Sequence, residues 1–211
     1  MATLQGVYTA TVLDNRDREG LARVFVRVPG VAADAGIWAR IATMMAGQNR
    51  GTMFIPDVGD EVLVAFERGD PRLPYVLGAL WNGKDTPPVS SADAATTKMI
   101  RSRSGVTFRI DDKATSLVIE TPGGQRITLQ DGPGSVRVED QNGNSVTLAT
   151  SGITINASAM VTLNASTVEV SAGMITVNAG MSKFSGVVQC DTIIANSVVG
   201  ASYTPGAGNI W

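Results

Sequence analysis

The chain has 211 residues, enough for one sizeable core with an appended element or for two small domains. Its 17 Lys and Arg against 19 Asp and Glu leave a net charge of -2, which supplies no global field for nucleic acid or an anionic membrane. There is no histidine and a single cysteine, Cys190, which removes the commonest general base, most transition-metal sites and any disulfide framework.

From the start, "MATLQGVYTATVLD" lacks the basic start and apolar stretch of a signal peptide, and nowhere do 18 apolar residues run together, so neither a secretory leader nor a spanning helix is expected. Five short strands are predicted over the first 90 residues: Val7 to Leu13, Leu21 to Val28, Ile37 to Met44, Glu61 to Glu67 and Tyr75 to Leu80. The turn signals "DNRDREG", "PGVAADAG", "AGQNRG", "PDVGD" and "RGDPRLP" separate them. In "LARVFVRVP" the period of two puts Val24, Val26 and Val28 on one face and Arg23, Phe25 and Arg27 on the other. Such spacing points to a small closed barrel of OB type over residues 1–83, with Trp38 and Trp81 in its core or at an interface.

An OB barrel can bind single strands by stacking bases on aromatics in a basic groove. Residues 1–90 carry 9 basic and 10 acidic side chains and few aromatics, so nucleic acid is not an expected partner.

The stretch "NGKDTPPVSSADAATT", residues 82–97, has the Pro, Ser, Ala and Thr content of a linker, which is expected over residues 84–104. From Gly105 onward strand and turn alternate: "VTFRI", "SLVIE", "RITL", "VRVE", "SVTL", "ITIN", "VTLN", "VEVS", "ITVN". Equivalent apolar positions recur at Ile127, Val136, Val146, Ile153, Val161, Val168 and Ile175, in steps of 9, 10, 7, 8, 7 and 7. A short, tightening period of this kind marks a β-helix or solenoid over residues 105–200.

Charge thins in parallel, since residues 151–211 carry Lys183 against Glu169 and Asp191. Ile153, Ile155, Val161, Leu163, Val168, Val170, Ile175 and Val177 share one face, while Thr154, Asn156, Thr162, Asn164, Glu169, Thr176 and Asn178 share the other. Strands about four residues long cannot wrap an interior or hide their edges alone. The expectation is therefore an all-β chain in which three copies intertwine as a triple-stranded β-helix, with the eight apolar residues as the trimer core.

These residues resemble a known family, the central spike proteins of contractile phage tails and related injection systems, which includes VgrG proteins and phage baseplate assembly protein V. The resemblance is carried by "GLARVFVRVPG" and by "WARIATMMAGQNRGTMFIPDVGDEVLVAFERGDPRLPYVLGALWNG", similar to the family's spike-base OB domain. The stretch "SGVTFRIDD…ETPGGQRITLQD…VEDQNGNSVTLATSGITINAS" is similar to its transition into a trimeric β-helix. The resemblance implies a non-enzymatic homotrimer, assembled into a tail-like particle in the cytoplasm, whose barrel docks on a baseplate hub protein and whose needle pierces a target cell envelope. It has no room for a lysozyme domain between barrel and needle and lacks large N-terminal hub domains, which suggests a minimal spike. The tip segment 201–211, "ASYTPGAGNIW", lacks the histidines of metal-binding tips. It either seats a PAAR-type tip protein, through Tyr203, Pro205, Asn209, Ile210 and Trp211, or tapers to Trp211 itself.

Other motifs have plainer readings. Asp111, Asp112, Glu120, Asp131, Glu139 and Asp140 are numerous enough to suggest a glycosidase pair, but each falls at a turn or beside Lys113, Arg126 or Arg137, as surface charge does. "DQNGN" lacks the remaining ligands of a calcium loop and fits a turn, and "TPGAGN" lacks the Lys of a phosphate loop. Cys190 in "VVQCDTII" fits a small apolar role. No catalytic residue, metal or cofactor is expected. A trimeric receptor-binding fibre or adhesin is the alternative, and it would need a head domain or aromatic patches along the shaft.

Overall fold

The computed structural model describes residues 4–31, 35–132 and 135–202. The chain divides into two units, Met1–Val161 and Thr162–Trp211.

The first unit begins with a barrel. Strands β1 (Val7–Asp14), β2 (Val24–Arg27), β3 (Ile37–Ile41), β6 (Glu61–Phe66) and β7 (Pro74–Leu80) close in the order β1-β2-β3-β7-β6. All neighbours are antiparallel except β3 and β7, which are parallel with Arg40 opposite Tyr75 and Ile41 opposite Val76. Closure works because each strand alternates, turning Ala10 and Val12, Val24 and Val26, Val62 and Val64 inward to the buried core. Register shifts at Val12/Asp14 and Leu63/Val64 supply the local bends that a small barrel needs.

The β1–β2 loop is organised by Asp17, whose side chain is 4 % exposed. Its carboxylate accepts two hydrogen bonds from the Arg23 guanidinium at 2.8 and 2.9 Å and further bonds from the backbone N–H groups of Glu19, Leu21 and Arg23. The Arg23 bonds foremost hold the Asp17 carboxyl far below its usual value. The same guanidinium lies 5.6 Å from the ring centre of Trp38, which is half-buried on the barrel's outside, and Trp38 packs against Phe25. Trp81, by contrast, is exposed.

Between β3 and β6 the chain adds a small hairpin, β4 (Ala46–Gly47) and β5 (Arg50–Gly51), where sequence patterning suggests a plain turn.

After the barrel, local turns carry the chain to a seven-stranded antiparallel meander: β8 (Thr97–Arg101), β9 (Thr107–Asp111), β10 (Ser116–Glu120), β11 (Arg126–Gln130), β12 (Ser135–Glu139), β13 (Ser145–Ala149) and β14 (Gly152–Asn156). Each strand is five residues long and pairs with the next in unbroken register. Strand β8 lies inside the stretch whose composition reads as a linker. The six later strands fall where the alternation predicts them.

Asx-type turns stitch the meander together. Asp111 accepts the N–H groups of Lys113 and Ala114, each at 3.0 Å. Asp140 accepts those of Asn142 and Asn144 at 2.8 and 2.9 Å, with Gly143 at φ +86° completing the turn of "DQNGN".

In the second unit no helix or strand forms among the described residues, and each described residue is exposed. The predicted strands "VTLN", "VEVS" and "ITVN" find no pairing partner within a single chain.

Candidate functional site, an uncovered apolar sheet face

Register dictates what the meander presents. Ile100, Phe108, Ile119 and Ile127 stand opposite one another on successive strands, and the row continues through Val138, Val146 and Ile155. Two residues away on the same face, Ile110, Leu117 and Leu129 align with Val136, Leu148 and Ile153. These residues thus form two rows on one side of the sheet, the first across all seven strands and the second across β9 to β14, with Lys98 of β8 opposite Ile110.

No layer of the first unit packs over that side, although Ala157, Met160 and Val161, just beyond β14, line a cavity together with Ile119, Ile127, Val138, Val146 and Ile155. Leu117 is half-buried, and the other residues of the two rows run from 36 % exposed at Val146 to 71 % at Ile153. Antiparallel sheets commonly show one face to water, but that face is the polar one. Here the opposite face is also without a covering layer in the first unit: along its centre Arg137 and Thr154 are exposed and Arg109, Thr128 and Thr147 half-buried, with Met99 and Val118 the apolar members of the row. A single layer with both faces wet has no core of its own. An apolar surface this long and this regular marks an interaction site.

Ion pairs and turn hydrogen bonds run along the polar face, while the buried Thr97 hydroxyl has no hydrogen-bond partner among the described residues. Arg126 donates to Glu120 at 2.8 Å, Arg137 pairs with Glu139 at 2.7 Å and Arg109 with Asp111 at 2.6 Å. Asp112 pairs with Lys98. The backbone N–H of Ala114, together with Arg109, lowers the Asp111 carboxyl, and the Asn144 amide, 2.7 Å away, lowers that of Asp140. Five of the six carboxylates considered for glycan chemistry are therefore committed to turns or ion pairs. Among the described residues no group of three or more Asp, Glu or Cys is placed to hold a metal.

The expected trimer core divides between the two units. Ile155 and Ile153 end the two apolar rows on β14, and Val161 follows in the same unit. Leu163, Val168, Val170, Ile175 and Val177 lie in the second unit, between 58 and 75 % exposed. Where the chain leaves β14 it is tied back to the sheet edge, for Asn144 Oδ1 accepts the N–H and hydroxyl of Ser158 at 2.8 and 3.2 Å. The expected tip residues Tyr203, Pro205, Asn209, Ile210 and Trp211 lie outside the described residues.

Sequence reasoning missed two parts of this surface. One is β8, whose "TKMIR" alternation is short and follows a run of turn formers. The other is the link from sheet to barrel, where Arg103 Nε donates to Asp57 Oδ2 at 2.8 Å across 46 positions, and no local pattern signals it.

Comparison with known proteins agrees with this architecture part by part. A family described as the type VI secretion system and phage-baseplate injector OB domain matches residues 8–81, and the phage baseplate V C-terminal trimerisation domain matches residues 116–181. The chain belongs to the VgrG and phage baseplate V family of spike proteins. Among its relatives, the type VI secretion system spike protein VgrG1a of Pseudomonas aeruginosa is 38 % identical over 71 residues, which is 34 % of this chain and 11 % of that protein. VgrG3 of Vibrio cholerae is 37 % identical over 67 residues, 32 % of this chain and 7 % of the relative. The actin cross-linking toxin VgrG1 of Vibrio cholerae is 33 % identical over 67 residues, 32 % of this chain and 6 % of the toxin. The chain thus spans about a tenth or less of the length of these curated relatives.

The trimerisation match starts at the first residue of β10 and runs past β14 into the second unit. It spans most of the uncovered apolar face. No described helix is long and apolar enough to cross a membrane.

Proposed function

We propose that this chain is the structural central spike of a contractile injection machine, acting as a homotrimer. The observation that carries the reading is the pair of continuous, uncovered apolar rows on β8–β14, together with the downstream alternation that has no partner inside one chain. Three copies with these faces turned inward form a three-walled prism whose polar faces meet water. Beyond Asn156 the three chains wind about one another, and the Val and Ile positions from Val161 to Val177 fill the shared axis. Each segment then gains the ladder bonds that a lone strand lacks. The domain plan is a barrel collar at 1–83, a connector at 84–104, a needle at 105–200 and a tip segment at 201–211.

Force transmission is the mechanism. A shaft in which three chains share each layer cannot release one strand without breaking a closed ladder, so it unfolds slowly under load. The barrel associates with the baseplate hub, and the C-terminal segment forms the tip or carries a PAAR-type tip protein. The particle is assembled in the cytoplasm and the spike is driven into the envelope of a target cell. Names of the relatives support the type VI or phage-baseplate setting, and the needle works without catalysis.

The test is puncture. Particles assembled with a chain truncated after Asn156 should keep the barrel but lose permeabilisation of target cells by at least an order of magnitude. Undiminished puncture by the truncated particles overturns the needle role.

A further inference from the structure

The barrel carries two exposed patches that the needle reading leaves unused. The first is a groove on the loop between β3 and β6, walled by Met45, Met53 and Phe54 beside Arg40 and Arg50, with no carboxylate in its lining. Met53 is 77 % and Phe54 68 % exposed, and neither arginine forms an ion pair among the described residues. The second is the corner just after β7, where Trp81, 69 % exposed, stands beside Asp60, Glu61 and Asp85 with no cation in the lining. None of these three carboxylates is in an ion pair among the described residues, although Arg103 acts on Asp60 from its place beside Asp57.

Topology puts both patches at one end of the barrel. β3 and β7 are parallel, so the groove loop leaving β3 and the corner leaving β7 run toward the same end, with Ile41 at the end of β3 opposite Val76 and β7 continuing to Leu80, which pairs with Glu61, before Trp81. The Arg103 to Asp57 bond anchors the first turn of the meander there too. This end therefore adjoins the uncovered apolar rows, which start at Ile100 and Phe108 on β8 and β9. The groove is also pre-formed. Thr43 Oγ1 donates to the Thr52 carbonyl at 2.7 Å, Thr52 N–H donates to the Met45 carbonyl at 3.0 Å, and a Cβ on Gly51 would stand 2.5 Å from that carbonyl oxygen.

We infer that in the trimer the Met-lined groove of one barrel receives the Trp81 corner of the next. The occupant is a second copy of this chain. An apolar, cationic groove and an aromatic, anionic corner complement each other in both chemistry and charge. The contact is heterologous, one patch against a different patch, and such contacts close into rings under three-fold symmetry. It also continues the sheet interface, so collar and needle form one assembly surface. The inference rests on the trimer reading and extends it to the barrel.

The test uses the full chain with Met53 replaced by the photo-crosslinking amino acid p-benzoylphenylalanine, a site exposed enough to leave the single-chain fold intact. The expected result is a native mass of three times 22.0 kDa and, on irradiation, an interchain product whose fragments map to residues 79–86 of the neighbour. A trimer that gives no interchain product, or one mapping elsewhere, overturns the groove and corner contact while leaving the trimer standing. A monomer removes both. Charge reversal supplies a second readout: Arg50→Glu should reduce the crosslink yield several-fold, and adding Asp85→Arg should restore it. An unchanged yield in Arg50→Glu overturns the charge complementarity.

Discussion

Arg103, in the turn between β8 and β9, is bonded to Asp57 in the loop that enters β6, with Nε 2.8 Å from Oδ2. It is the long-range polar tie between meander and barrel, and both partners are partly exposed, at 78 and 40 %. An exposed pair is screened by solvent and adds little to stability. Arg103→Ala should therefore shift the melting temperature by only a few degrees. Its clearer effect should be faster proteolytic cutting between residues 82 and 96, read by limited digestion, because the two ends of that connector lose a restraint. Cutting at the wild-type rate would show that the pair does not hold the junction.

The barrel core predicts a larger cost. Val62 and Val64 are 0 % exposed in a core made almost entirely of small branched side chains. Val62→Ala removes two buried carbons and leaves a cavity that closed strands cannot collapse around. A loss of about 2 kcal/mol is expected in denaturant unfolding of the barrel.

Acid should weaken the barrel in a defined window. Asp70 is lowered to about 2 by the Arg72 guanidinium, and Asp17 is lowered further by Arg23. A carboxyl whose folded value lies below its unfolded one contributes stability that is fully present above the unfolded value. That stability is lost as pH falls through the folded value. The melting temperature should hold above pH 5 and fall as pH drops from about 4 toward 2. Asp17→Asn should lower the melting temperature near neutral pH and flatten the acid slope. A slope unchanged by that substitution would show that another carboxylate sets it.

Much of this architecture can be read from the sequence, and what cannot has physical reasons. The five barrel strands and six of the seven meander strands show up because apolar and polar side chains alternate along each, which writes a period of two. β8 is hidden because Lys98 stands on the apolar face opposite Ile110, breaking the alternation at a strand of five residues. The hairpin at 46–51 is hidden because its strands are two residues long, too short for any period. The Arg103 tie is invisible in principle, since a contact over 46 positions depends on the folded path. The expected trimer core is the opposite case. Its alternation is plain in the sequence, while a single chain leaves those side chains in water.

Faces along the needle can be separated by paired substitutions. In the proposed trimer Val168→Asp and Ile155→Asp each put a charge where three copies converge, and burying an unpaired charge costs several kcal/mol per site. Thr154→Asp and Thr176→Asp place the same charge on the polar face, where it remains solvated. The first pair should abolish the trimer in light scattering, and the second should leave it intact. Equal effects from the two pairs would contradict the assignment of faces.

The most direct test of the whole account is the native mass of the purified chain by light scattering. A value of three times 22.0 kDa, with an unboiled sample keeping its trimer band in detergent, is the result the prism and needle require. A well-folded monomer at 22.0 kDa would contradict them, because one copy leaves the rows from Ile100 to Ile155 and the positions from Val161 to Val177 uncovered.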